Sequence, residues 1–150
     1  MPAVAPIPDR SRLAITNRFL VVLDGINIGG WSKCDGLTVN LTLMNYTPLG
    51  TNTYMPILPD RVTYDKITLS RAVNDIDSKT LLEWLGKRAN NAASGTGAIA
   101  VMGSDRLPVM TYQLRGVYPT KYKGPSLDAN SKGIAIETLE LAHEGFLPEV

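Results

Sequence analysis

Two short apolar runs closed by glycine stand near opposite ends of the chain, Phe19-Leu-Val-Val-Leu-Asp-Gly25 and Gly133-Ile-Ala-Ile-Glu-Thr-Leu-Glu-Leu-Ala-His-Glu-Gly145. Both have strand length, are rich in branched residues and end where the backbone can turn, the pattern of strands that open and close a compact β domain. The segment between them includes a long uncharged insertion, which suits a molecule that stacks against copies of itself. At 150 residues the whole chain, 1–150, is read as one domain.

The first residues carry Pro2, Pro6 and Pro8 and then Asp9-Arg-Ser-Arg12, so 1–17 reads as an extended arm without packing of its own. Phe19 to Leu23 is a buried strand, Asp24-Gly25 a turn, and Ile26 to Trp31 its hairpin return, with a bulge or bend at Gly29-Gly30. From Leu37 the chain alternates. Leu37, Val39, Leu41 and Leu43 form a face expected in the core, and Thr38, Asn40 and Thr42 lie opposite. No charged residue occurs between Gly36 and Pro59, and Pro48, Gly50, Pro56 and Pro59 exclude regular structure from Thr47 to Pro59. This long loop, 45–60 in its outer bounds, carries Leu49, Tyr54, Met55, Ile57 and Leu58. It can fold back over its own core or pack on another subunit; the second is favoured, because in water it exposes an apolar patch.

Arg61 to Ser70 resumes as a strand with a bulge near Asp65-Lys66, where the parity of Val62 and Tyr64 changes to that of Ile67 and Leu69. One helix follows, capped by Asp77 or Ser78, with Leu81, Trp84, Leu85 and Arg88 at helical spacing. Ala98 to Met102 and Pro108 to Val117 form a hairpin around Gly103-Ser-Asp105, Tyr118 to Pro125 is a proline-broken connection, and the last strand runs from Ile134 to about His143. The pattern is a β fold with one helix.

Catalytic chemistry has little to stand on. Cys34 and His143 are the only residues of their kinds, so an intrachain disulfide and the usual zinc clusters are unavailable, and no cofactor or metal is expected. A strand histidine facing solvent and a small buried cysteine explain both without a nucleophile. Glu137 and Glu140 fall on opposite faces of a strand, and Asp75 and Asp77 sit at a helix start. The glycines at 29–30 and 95–97 lack the Lys-Ser/Thr of a phosphate loop. Lys121, Lys123 and Lys132 read as a solvated turn, Trp84 as core, and Trp31 as core or interface. Lys plus Arg is 15 and Asp plus Glu 14, so the net charge of +1 gives no field for nucleic acid or an acidic membrane. The N-terminal prolines break any signal helix, and no apolar run approaches the ~20 residues of a membrane span. The chain is expected to be made and kept in the cytoplasm.

The order Phe19-x-Val21-x-Leu23-x-Gly25, Ile28-Gly-Gly30, Gly36-Leu37, Leu58-Pro59, Tyr64-x-x-Ile67-x-Leu69-x-Arg71, Leu82-x-Trp84, Tyr118-Pro119, Lys121-x-x-Gly124-Pro-x-Leu127 and Ala135 to Gly145 resembles the tail-tube family, the inner tubes of contractile phages and of extracellular contractile injection systems. The resemblance spans nearly the whole chain from Phe19 onward. It implies a small β-barrel or two-sheet sandwich with one flanking helix, and subunits that form hexameric rings stacked into a hollow tube within a contractile sheath. It further implies a non-enzymatic structural protein whose partners are itself, the sheath protein, baseplate and hub proteins and a cargo in the lumen, without recognition of a nucleic-acid sequence. Assembly would be cytoplasmic, in a phage tail or tail-like particle ejected on contraction. Rings close by a heterologous interface and stack by another. Leu49, Tyr54, Met55, Ile57 and Leu58 are the expected interface residues, and Thr38, Asn40 and Thr42 the expected lumen-facing ones. The alternatives are a tube-initiating baseplate homologue and a small-ligand-binding β-barrel.

Overall fold

A computed structural model describes residues 19–46, 49–50, 53–91 and 93–148; the expected arm, 1–17, lies outside them. The elements are β1 (Phe19–Leu23), β2 (Ile26–Gly30), β3 (Lys33–Asp35), β4 (Val39–Asn45), β5 (Ile57–Tyr64), β6 (Ile67–Ala72), α1 (Asp77–Ala89), β7 (Gly95–Met102), β8 (Pro108–Lys123) and β9 (Ile136–Ala142). Seven strands form one sheet in the order β2-β1-β7-β8-β9-β6-β3, and β4 and β5 form a second sheet of two. Among the described residues the strand pairings are all antiparallel. The architecture is mainly β with one helix and two sheets, and strand pairing does not close the larger sheet into a barrel.

The core is formed by one face of the seven strands together with α1. Alternate residues point inward, as a two-residue period requires: Val21 and Leu23 from β1, Ile67 and Leu69 from β6, Leu139 and Leu141 from β9, joined by Ile99, Leu114 and Val117. The helix adds Leu81 and Trp84. Trp84 Nε1 donates to Asp24 Oδ2 at 2.7 Å, and Asp24 Oδ1 accepts from the Thr96 amide at 2.9 Å. Asp24 thus ties helix, β1 turn and the start of β7 together. Asp24 and Gly25 both have positive φ, 52° and 77°, the geometry of the tight turn that suits the twist of a hairpin.

Several boundaries differ from the sequence expectation, each for a local reason. The helix begins at Asp77, but its capping oxygen belongs to Asn74, whose Oδ1 accepts from the amides of Ile76 and Asp77 at 3.1 and 2.6 Å. β7 starts at Gly95 rather than Ala98. β8 runs on through the proline-broken segment to Lys123, so Lys121 and Lys123 are strand residues. It pairs with β7 up to Val117 and with β9 from Tyr118, turning at Gly116 (φ 58°). Pro119 is tolerated beside a register shift that leaves Thr120 unmatched. The Asp65-Lys66 irregularity is no bulge: there the chain leaves the small sheet and enters the large one.

Where the large sheet fails to close, a side chain spans the gap. Arg71 on β6 donates from Nη1 to the carbonyls of Ile28 and Gly30 on β2, and from Nε to Glu137 Oε1 on β9 at 2.6 Å. Arg71 and Glu137 are 3% and 0% exposed. Glu137 also accepts from Ser78 Oγ (2.8 Å) and Tyr122 Oη (2.8 Å). Burial alone would raise the Glu137 carboxyl, but the hydrogen bonds from Arg71, Ser78 and Tyr122 and the Arg71 charge outweigh it and hold the group below its ordinary value. Tyr122 is pushed up to about 12, first by burial and then by its bond to Glu137.

Candidate assembly surface

The expected functional residues lie on the two-stranded sheet, just before it and in the segment that connects its strands, and its register shows which of the strand residues share a face. Val39, Leu41, Leu43 and Asn45 lie opposite Tyr64, Val62, Pro59 and Ile57. The other face pairs Asn40 with Thr63, Thr42 with Arg61 and Met44 with Leu58. One face is therefore almost wholly apolar, and the other is polar until its distal end. The expectation of a core-facing leucine row is corrected here: Leu41 and Leu43 are 64% and 58% exposed, because the ribbon projects from the seven-stranded sheet instead of covering it. Only Leu37, before β4, packs against the core.

The expected loop is also shorter than 45–60. Asn45 and Ile57 to Asp60 belong to strands, and Pro59 is accommodated opposite Leu43 at a register shift that leaves Asp60 unpaired. Among the expected interface residues, Leu49, Tyr54 and Met55 lie in the connecting segment and are exposed, whereas Ile57 and Leu58 are exposed on opposite faces of the ribbon. Thr38, Asn40 and Thr42 are exposed, and Asn40 and Thr42 sit on the polar face. That face is not free of charge, as sequence alone suggests. Arg61 stands directly across from Thr42, with the Asp60 carboxylate 3.9 Å from its Nε. Val62 and Arg61 escaped sequence reasoning because cross-strand neighbours follow from register, and register here depends on a bulge at a proline.

The root of the ribbon is pinned by an aromatic cluster. Tyr64 contacts His143 and Phe146, each at 5.3 Å between ring centroids, and Phe146 meets Tyr112 edge-on at 5.5 Å. Gly145 is required beneath it: its φ is 143°, and a Cβ there would lie 2.7 Å from the Tyr64 ring. His143 is half-buried rather than solvent-facing, with Nε2 3.1 Å from the Asp65 carbonyl. Burial lowers its pKa, against a raising effect of the Asp65 and Gly145 carbonyls. Asn40 Nδ2 donates to Asp65 Oδ1 at 3.0 Å, locking the first residues of β4 to the same hinge.

Nothing in this region has the form of a reaction centre. Cys34 lies on edge strand β3, where burial and then Asp35 push its thiol up to about 11, far from a reactive thiolate. Among the described residues no group of three His, Cys, Asp or Glu side chains is placed to hold a metal, and no helix is long and apolar enough to cross a membrane. What the surface offers is exposed apolar area on an ordered ribbon.

The T4-like virus tail tube protein gp19 family matches residues 15–147. No curated protein sequence matches significantly. Among solved structures, a chain in the six-fold symmetrised baseplate of the anti-feeding prophage is 26% identical, with a TM-score of 0.72 over 89% of this chain and 93% of that one. A chain of the sheath-tube complex of the PVC extracellular contractile injection system in its extended state is 20% identical, with a TM-score of 0.74 over 90% of each chain. A chain of the tube-terminating cap of the anti-feeding prophage is 23% identical, with a TM-score of 0.67 over 94% of this chain and 89% of that one.

Proposed function

Since the chain belongs to the T4-like virus tail tube protein family, and is a structural subunit of a tube in a phage tail or tail-like particle, we propose that its copies close into six-membered rings, that the rings stack into a hollow conduit, and that the β4–β5 ribbon makes the contacts between copies. One observation carries the reading: an ordered ribbon leaves Leu41, Leu43, Ile57 and Val62 in water on one face. Monomeric proteins rarely keep contiguous apolar surface of that kind. A ring needs two different complementary surfaces per copy, and the apolar face, continued by Leu49, Tyr54 and Met55, supplies one of them. The polar face, with Thr38, Asn40 and Thr42, then lines the bore.

The relative solved in a sheath-tube complex supports a contractile sheath as the outer partner, and the relative in a baseplate supports attachment there. Baseplate and hub proteins would meet the tube's end, cargo would fill its lumen, assembly would take place in the cytoplasm, and the subunit would catalyse nothing. Negative-stain microscopy of the purified protein tests the reading. Long tubes are expected. Single rings would favour a tube-initiating homologue, and a stable monomer at high concentration would overturn the proposal. Tyr54→Asp or Ile57→Asp should abolish tubes while leaving the monomer's thermal midpoint unchanged, since a carboxylate costs little in water and much in a dry contact.

A further inference from the structure

Beside the first residue of β1 lies an open cleft of about 710 Å³, walled by Phe19, Leu20, Trp31, Arg71, Met102 and Arg106. It sits at the gap in the large sheet, where β2 ends at Gly30 and β3 begins at Lys33. Two donors among its lining residues are left over. Arg71 commits Nε to Glu137 and Nη1 to backbone carbonyls, but Nη2 is buried without a hydrogen-bond partner, and so is Nε1 of Trp31. Trp31 is 5% exposed, and the Arg71 guanidinium carbon lies 4.1 Å from its ring centroid. Buried donors without acceptors are rare in a finished interior. Glu137 already balances the charge of Arg71, so Arg71 Nη2 and Trp31 Nε1 call for neutral oxygen acceptors, while Arg106, also in the wall, is exposed to solvent.

Proline-rich backbone supplies such acceptors in excess, because each proline keeps its carbonyl and has no N–H to satisfy. The chain contains a matching segment, Pro2-Ala-Val-Ala-Pro-Ile-Pro8, otherwise wholly apolar, upstream of Phe19 at the lip of the cleft. Extended prolyl segments bind aromatic grooves at low entropic cost. We propose that the Trp31–Arg71 cleft receives Pro2–Pro8 of a neighbouring copy, whose carbonyls accept from Trp31 Nε1 and Arg71 Nη2 while Val4 or Ile7 rests on Phe19, Leu20 and Met102. The residues between Pro8 and Phe19 can span about 33 Å when extended, enough to reach an adjacent copy. The inference rests on the tube-subunit reading, which provides the neighbour.

Full-length protein carrying a benzophenone amino acid in place of Ile7 tests it, irradiated after assembly and inspected by microscopy. The expected product is a covalent pair of copies, joined to the peptide that holds Trp31 or the one that holds Met102. Trp31→Phe, which removes one donor, should cut the yield several-fold. Because that change touches the core, Pro6→Ala combined with Pro8→Ala, which leaves the core intact, should do the same. Cross-links confined to one copy, or joining copies at the ribbon or elsewhere, would overturn the docking site while leaving the tube reading in place. Failure to form any polymer would remove both.

Discussion

Arg71 and Glu137 face each other across β6 and β9 on the side of the sheet where their strand neighbours are apolar. Both charges lie at inward parity, Arg71 after Ile67 and Leu69 and Glu137 before Leu139 and Leu141, so the alternation that marks the core also marks them. Sequence reading compares Glu137 with Glu140, on the opposite face of the strand, and so misses its true partner Arg71. Removing one partner strands the other charge in the interior. Arg71→Ala is expected to lower unfolding stability by about 3–5 kcal/mol, whereas Arg71→Met combined with Glu137→Leu should lose less than the sum of the two single changes, because no charge is stranded although the Ile28 carbonyl and the Ser78 hydroxyl lose their partners; urea midpoints of the variants and the parent decide this. The pH dependence has a definite sign. Glu137 and His143 are both held below their ordinary values, so their stabilising contributions are complete above about 4.3 and 6.5 respectively and fade as pH falls through the lower folded-state values. The thermal midpoint should therefore begin to fall below about pH 6.5, and His143→Gln should remove that first step while leaving the steeper loss at more acid pH.

At the level of elements, the ribbon and β8 are the instructive cases. Alternation from Leu37 correctly marks a strand with two unlike faces, but a period of two does not say what covers the apolar one. Among the described residues nothing in the same copy does. An isolated two-stranded ribbon is marginal in water, so this one depends on the Tyr64, His143 and Phe146 cluster at its root. Leu41→Asp and Leu43→Asp should each change monomer stability by less than about 0.5 kcal/mol, as for other exposed positions, yet prevent tubes in sedimentation and microscopy. β1, β2 and β9 are legible because glycine boundaries and apolar period agree there, and α1 because Leu81, Trp84, Leu85 and Arg88 recur at helical spacing. The second half of β8 was not: Pro119 reads as a breaker, and only the partner strand β9, with a register shift beside the proline, makes it tolerable. Parity marks Arg71 as inward-facing, but its bonds to the Ile28 and Gly30 carbonyls, which bracket the sheet, join residues far apart in sequence and leave no local signature.

For the whole molecule, six copies with the polar face inward would place a repeating set of Thr38, Asn40, Thr42 and Arg61 around the bore. The Arg61 charge, partly met by Asp60, would give such a wall a weak grip on anions. Thr38→Lys should assemble normally and retain acidic protein or nucleic acid in the lumen, with release as salt rises and screens the added ring of charge; retention that ignores salt, or tubes that fail to form, would count against the polar face lining the bore. The ribbon's strands pair only with each other, so they share no ladder with the seven strands that hold the core. If the ribbon lines the bore as proposed, lining and chassis are encoded separately, and the inside of the conduit could be rewritten, by evolution or by an engineer fitting it to a new passenger, without renegotiating the fold that carries it.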